Sequence, residues 1–185
     1  MDFSLIVPCY NEAQNVRTFF ATATECLDAA DMAYELVFVD DGSSDGTMAV
    51  VRAEIDAYRL MRPFGRGSFT VVRLSRNFGK EAAMYAGLQA AQGDYVSIMD
   101  VDLQDPPSML PELLGCVRNE GYDCAAVRRV TRSGEPRVRS FFARAFYKIV
   151  NRISRTEIVD GARDYRVMTR QMVDSILEIT EVNRF

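Results

Sequence analysis

Two periods of apolar and polar positions alternate along the first 127 residues. Short runs rich in β-branched and aromatic side chains, at 3–9, 35–40, 69–74, 95–99 and 123–127, predict strands. Longer and partly amphipathic segments between them, at 12–30, 47–59, 80–92 and 108–120, predict helices. Strands separated by helices imply parallel βαβ units and an α/β fold, a three-layer α/β/α sandwich with a mostly parallel central sheet. The unbroken apolar run Leu36-Val-Phe-Val39 suits a sheet covered on both faces. The Gly and Pro content of 62–68 marks a loop.

After residue 127 the pattern changes. Residues 128–138 are basic and turn-rich, 140–153 read as an amphipathic helix carrying Phe141, Phe142, Phe146, Tyr147 and Ile149, and 168–179 read as a further helix. The expected organisation is one domain over 1–185, with a first half at 1–127 and a second at 128–185. The last residues show no clear closure, which reads as a chain cut before a further, membrane-embedded part. The chain itself has no run approaching the roughly 18 to 20 apolar residues of a membrane span, and its start lacks the basic region of a signal peptide.

In a sheet of this kind, ligands gather outside the carboxyl ends of the strands. The polar clusters at 8–12, 40–47, 75–80 and 100–107 each follow a predicted strand, so one shared site is expected there. Composition narrows its chemistry. The chain of 185 residues has four cysteines without a CxxC pair and no histidine, which excludes the common zinc sites and leaves a carboxylate as the first choice of general base. The net charge of −4 is unevenly spread: residues 128–155 carry +8, against −12 for the remainder. That asymmetry points to a face that meets an anion.

The densest chemistry is Met99-Asp-Val-Asp-Leu-Gln-Asp-Pro-Pro107. Asp100, Asp102 and Asp105 repel one another unless a cation sits among them, and Mg²⁺ or Mn²⁺ shared with a substrate's phosphates is the natural partner. The competing reading is a solvated acidic turn. In Asp40-Asp41-Gly-Ser-Ser-Asp-Gly-Thr47, Asp45 or Thr47 is placed to cap the next helix, and the doubled aspartate suits a ribose or a base edge. Neither a GxGxxG nor a GxxxxGK[ST] motif is present, which weighs against dinucleotide folds and P-loop NTPases. Lys80 is in reach either of a phosphate or of solvent at a helix start, Glu81 suits the first helical turn, and Cys9 reads as a packed residue.

Pro8-Cys-Tyr-Asn-Glu12, Val39-Asp-Asp-Gly-Ser-Ser-Asp-Gly-Thr47, Leu74-Ser-Arg-Asn-Phe-Gly-Lys80 and Met99–Pro107 occur in this order. Together the set resembles family-2 glycosyltransferases of GT-A fold. With Gly161-Ala-Arg-Asp-Tyr-Arg166 it is similar to the polyprenyl-phosphate branch, the dolichol-phosphate mannose synthases and undecaprenyl-phosphate glucosyltransferases. The resemblance implies an inverting, metal-dependent transfer of a sugar from a UDP- or GDP-sugar to a polyprenyl phosphate at the cytoplasmic face of the membrane. It implies that Pro8, Tyr10 and Glu12 line the nucleotide pocket, with Asp40 and Asp41 near the base and ribose. Asp100 and Asp102 would form a DxD motif that holds Mg²⁺ or Mn²⁺ with Gln104, and Arg166 would meet the donor phosphates. Asp164 falls where bacterial members carry a proposed base. A phosphate acceptor is already anionic, so an orienting role, or pairing with Arg163 or Arg166, stands beside that reading.

Arg128 and Arg139 match the acceptor-phosphate arginines of the family, a role that suits bidentate guanidinium contacts. The aromatic helix at 140–153 is open to two readings, membrane interface or core. The acidic remainder of the chain argues against nucleic acid. Two alternatives to the lipid acceptor remain: a family-2 transferase acting on a polysaccharide or soluble acceptor, and a catalytically silent nucleotide-sugar binding module.

Overall fold

The computed structural model describes the backbone of residues 1–30, 32–128 and 162–179, and the side chains of all of these except 128 and 162–164. The chain divides into two compact units, residues 1–125 with 165–185, and residues 126–164.

In chain order the elements are β1 (Phe3–Cys9), α1 (Val16–Ala29), β2 (Tyr34–Asp40), α2 (Thr47–Met61), β3 (Gly67–Arg73), α3 (Lys80–Ala90), β4 (Tyr95–Ile98), a 3-10 turn (Pro107–Met109) running into α4 (Leu110–Glu120), β5 (Cys124–Arg128), β6 (Ala162–Thr169) and α5 (Arg170–Glu178). They build a six-stranded sheet of order β3-β2-β1-β4-β6-β5. β1 lies parallel to β2 and β4, β2 parallel to β3, and β6 antiparallel to β4. The fold is therefore the mixed α/β, mostly parallel arrangement that the alternating pattern predicts.

Side chains alternate across each strand, so β1 and β2 supply two cores at once. Ile6, Val37 and Val39 pack with Ala83, Met84 and Leu88 of α3, with Val96 and Ile98 of β4, and with Val173 of α5. On the opposite face Phe38 meets the rings of Phe19 and Phe20 from α1, and Phe20 stacks on Phe69 of β3. Every residue of β2 is buried. Full burial of each large apolar side chain contributes about 1.5–3 kcal/mol, enough to fix which face of each helix turns inward. Gly87 sets the height of α3 above the sheet: a Cβ there would lie 2.3 Å from Ile6 Cγ2. At the amino end of the strands the buried Glu35 accepts from Ser4 Oγ (2.6 Å) and Gln92 N (2.5 Å), and Gly93 N donates to Ser4 Oγ (2.7 Å), which ties the α3–β4 turn to β1 and β2.

Two segments depart from the expected pattern. The helix expected from 168 starts at Arg170, preceded by a strand that the sequence pattern did not reveal. Tyr165, Val167 and Met168 are buried in that strand, and the Thr169 side chain accepts from Met172 N (3.2 Å) as the helix cap. The helix expected from 12 starts only at Val16, because residues 11–13 bond instead to the loop after β2. The helix expected at 140–153 lies outside the described residues.

Candidate active site

At the carboxyl ends of β1, β2 and β4 lies a cavity of about 310 Å³. Its walls are Pro8, Cys9, Tyr10 and Glu12 after β1, Asp41 after β2, Asn77, Gly79, Lys80 and Ala83 at the start of α3, and Asp100, Val101 and Asp102 after β4. All four polar clusters thus contribute to one space.

Local bonding explains how the loops converge. Asn11, in a left-handed conformation (φ 56°), donates its N–H to Ser43 Oγ (2.9 Å), and its side-chain oxygen accepts from Ser44 N (3.0 Å). Glu12 N donates to Thr47 Oγ1 (2.8 Å) and Ala13 N to Asp45 Oδ2 (3.3 Å). Asp45 Oδ1 also accepts from Thr47 N (2.9 Å) at the start of α2, whose cap residue is Gly46 rather than Asp45 or Thr47. These bonds, led by the one from the Thr47 hydroxyl, hold the Asp45 carboxyl below its ordinary range.

The doubled aspartate divides its work. Asp40 is wholly buried: Oδ1 accepts from Ser43 N (2.8 Å), and Oδ2 lies 3.2 Å from Arg73 Nε, its register partner on β3. Asp41 lines the cavity, but its two oxygens accept from Phe78 N (2.7 Å) and Gly79 N (2.9 Å) and so anchor the loop before α3. Gly42 (φ 72°) lets this contact form, since a Cβ there would come within 2.4 Å of the Arg76 carbonyl carbon. The Asp41 anchor and Gly79 (φ 100°) carry the chain into α3 so that Lys80 Nζ reaches Asp100 Oδ2 at 2.8 Å.

Asp100 and Asp102 are exposed and line the cavity. Asp102 Oδ1 accepts from Gln104 N (3.1 Å), across Leu103 in a left-handed conformation (φ 56°). Gln104 is exposed and does not line the cavity. Among the described residues no group of three His, Cys, Asp or Glu side chains stands close enough to hold a metal alone. Two carboxylates on an open cavity fit a hard cation that draws its remaining oxygens from a diphosphate and water.

Cys9 is buried, and burial, with Asp40, Glu12 and Asp100 nearby, pushes its thiol far above the ordinary range. It is held neutral and is no nucleophile. Arg166 is half-buried on β6 opposite Ile98, and its charge bears on Cys124 rather than lining the cavity. For Asp164 and Arg128 only the backbone is described, in β6 and β5, and Arg139 lies outside the described residues. Sequence reasoning passed over Arg73, whose only signal is a basic residue ending an apolar strand in register with Asp40. It also passed over Tyr165, whose hydroxyl donates to Pro106 O (3.2 Å) beside the Asp-rich loop.

Residues 4–177 match the sequence profile of Glycosyl transferase family 2. The chain is 40% identical over 185 residues to an uncharacterised glycosyltransferase of Synechocystis, covering 100% of this chain and 55% of that protein. It is 38% identical over 185 residues to the bactoprenol glucosyl transferase of Shigella phage SfV, covering 100% of this chain and 57% of that protein. The chain therefore spans little more than half the length of these relatives. A mannosyltransferase from Pyrobaculum calidifontis, solved with GDP-Man and Mn²⁺, superimposes with a TM-score of 0.64 at 22% identity, covering 94% of this chain and 46% of that one. No helix among the described residues is long and apolar enough to cross a membrane. Profile, relatives and structural superposition agree: the chain belongs to Glycosyl transferase family 2 and has the GT-A fold.

Proposed function

We propose that this glycosyltransferase moves a sugar from a UDP- or GDP-sugar to a polyprenyl phosphate, with inversion at the anomeric carbon. The observation that carries the donor half is the convergence of four strand-end loops on one cavity, where two exposed carboxylates and an ammonium group meet. The acceptor half rests on the similarity to a bactoprenol glucosyl transferase and on the arginine-rich stretch at 128–155. In this proposal the transfer takes place at the cytoplasmic face of the membrane.

In this reading Pro8, Tyr10 and Glu12 receive the nucleoside, Asp41 holds the loop that closes its side, Asp100 and Asp102 face the diphosphate and hold the metal with Gln104, and Arg166 reaches the donor phosphates from β6. Mg²⁺ or Mn²⁺ held by Asp100 and Asp102 would offset the charge that grows on the leaving nucleoside diphosphate. An acceptor phosphate oxygen forms a bond to the anomeric carbon as the bond to the diphosphate oxygen breaks. Asp164 orients or deprotonates the acceptor, and Arg128 and Arg139 bind its phosphate.

The test incubates the purified protein with Mn²⁺, undecaprenyl phosphate in detergent and either labelled UDP-glucose or GDP-mannose. Label should enter the lipid fraction, and Asp164→Asn should slow transfer while leaving donor binding intact. Transfer only to a soluble glycan would replace the lipid acceptor. Donor binding without any turnover would favour a silent binding module.

A further inference from the structure

Lys80 and Asp100 form an ion pair at the place where the donor reading, on which this inference rests, puts a metal. Lys80 Nζ stands 2.8 Å from Asp100 Oδ2, and both side chains are nearly half exposed, at 42% and 47%, so neither is locked in the core. The pair is not an accident of a wandering side chain. The Asp41 carboxylate fixes the backbone of Phe78 and Gly79, Gly42 lets the two loops touch, and Lys80 is the first residue of α3. Three motifs are thus spent on bringing one ammonium group to one carboxylate.

A divalent cation at Asp100 and the Lys80 ammonium beside it repel one another. Metal entry weakens the hold of Asp100 on Lys80, and an anion in the same cavity then draws the ammonium towards itself. A donor's diphosphate supplies one in the same cavity, where the amino end of α3 also opens with its positive dipole end. We propose that Lys80 is a resident counter-ion that holds the metal position until the nucleotide arrives and then transfers to the diphosphate. Lys80 thereby makes metal and nucleotide bind together rather than separately. Such coupling is reciprocal: nucleotide strengthens metal binding by the factor that metal strengthens nucleotide binding.

The experiment compares wild type, Lys80→Gln and Lys80→Arg by Mn²⁺ titration with electron paramagnetic resonance detection, without nucleotide and then with saturating UDP or GDP. With the competitor removed, Lys80→Gln should bind Mn²⁺ alone about fivefold more tightly, the scale of a half-exposed ion pair. Its gain in Mn²⁺ affinity on adding nucleotide should shrink by at least the same factor, and Lys80→Arg should follow wild type. Equal or weaker binding of Mn²⁺ alone by Lys80→Gln, with wild type still binding Mn²⁺ and nucleotide together, overturns the counter-ion role and leaves the donor site intact. Failure of all three proteins to bind Mn²⁺ even with nucleotide overturns both.

Discussion

At the scale of single residues, the site depends on side chains that carry no chemistry of their own. Tyr165 is the clearest case. It is buried on β6, its hydroxyl donates to Pro106 O (3.2 Å), and Cys26 Sγ donates to the neighbouring Pro107 O (3.2 Å). Burial, with Cys26 and Asp105 nearby, raises the Tyr165 phenol far above its ordinary range, so it stays a neutral donor at any working pH. The two bonds hold the far end of the loop that begins at Asp100. Tyr165→Phe keeps the ring and removes the bond. The expected cost is ~1 kcal/mol in denaturant unfolding, together with a rise in the Mn²⁺ concentration needed for half-maximal nucleotide binding. An unchanged metal requirement would reduce Tyr165 to a packing residue. Cys9 illustrates the opposite lesson: a cysteine in a motif beside the cavity is kept protonated by burial and by nearby carboxylates.

At the scale of elements, the close seat of α3 on β1 sets where Lys80 and Gly79 stand. The backbone at Gly87 leaves no room for a side chain, with Ile6 Cγ2 2.3 Å and Val39 Cγ2 3.2 Å from a Cβ placed there. Gly87→Val should push the helix outward, lower stability by about 1–3 kcal/mol in urea unfolding and weaken nucleotide binding at the same time. Loss of stability with full nucleotide affinity would show that α3 can shift without moving its amino end. Elements of this kind were largely legible in the sequence, because strands buried on both faces read as continuous apolar runs and the helices between them carry a partial 3.6-residue period. β6 was not legible. It lies between β4 and β5, antiparallel to β4, and its buried Met168 and capping Thr169 read equally well as the opening of a helix. The start of α1 is hidden from the sequence for a related reason: cross-loop bonds from Asn11, Glu12 and Ala13 override local helix propensity, and their partners lie more than 30 residues away. The site shows the same division. Convergence of the four loops followed from strand direction, whereas the separate tasks of Asp40 and Asp41 came from side-chain directions that no spacing rule encodes.

At the scale of the whole molecule, the sheet gathers the carboxyl ends of its parallel strands into one acidic, open cavity. In the proposed function a cation and a diphosphate fill that cavity together. The central claim is therefore a metal-dependent nucleotide site built on Asp100 and Asp102. Calorimetric titration with UDP and with GDP, each with and without Mn²⁺, on wild type and on Asp102→Asn, tests it most directly. Wild type should bind one of the two nucleotides only when Mn²⁺ is present, and Asp102→Asn, folded to the same extent, should lose that binding. Nucleotide binding that is indifferent to Mn²⁺, or that survives Asp102→Asn unchanged, would contradict it.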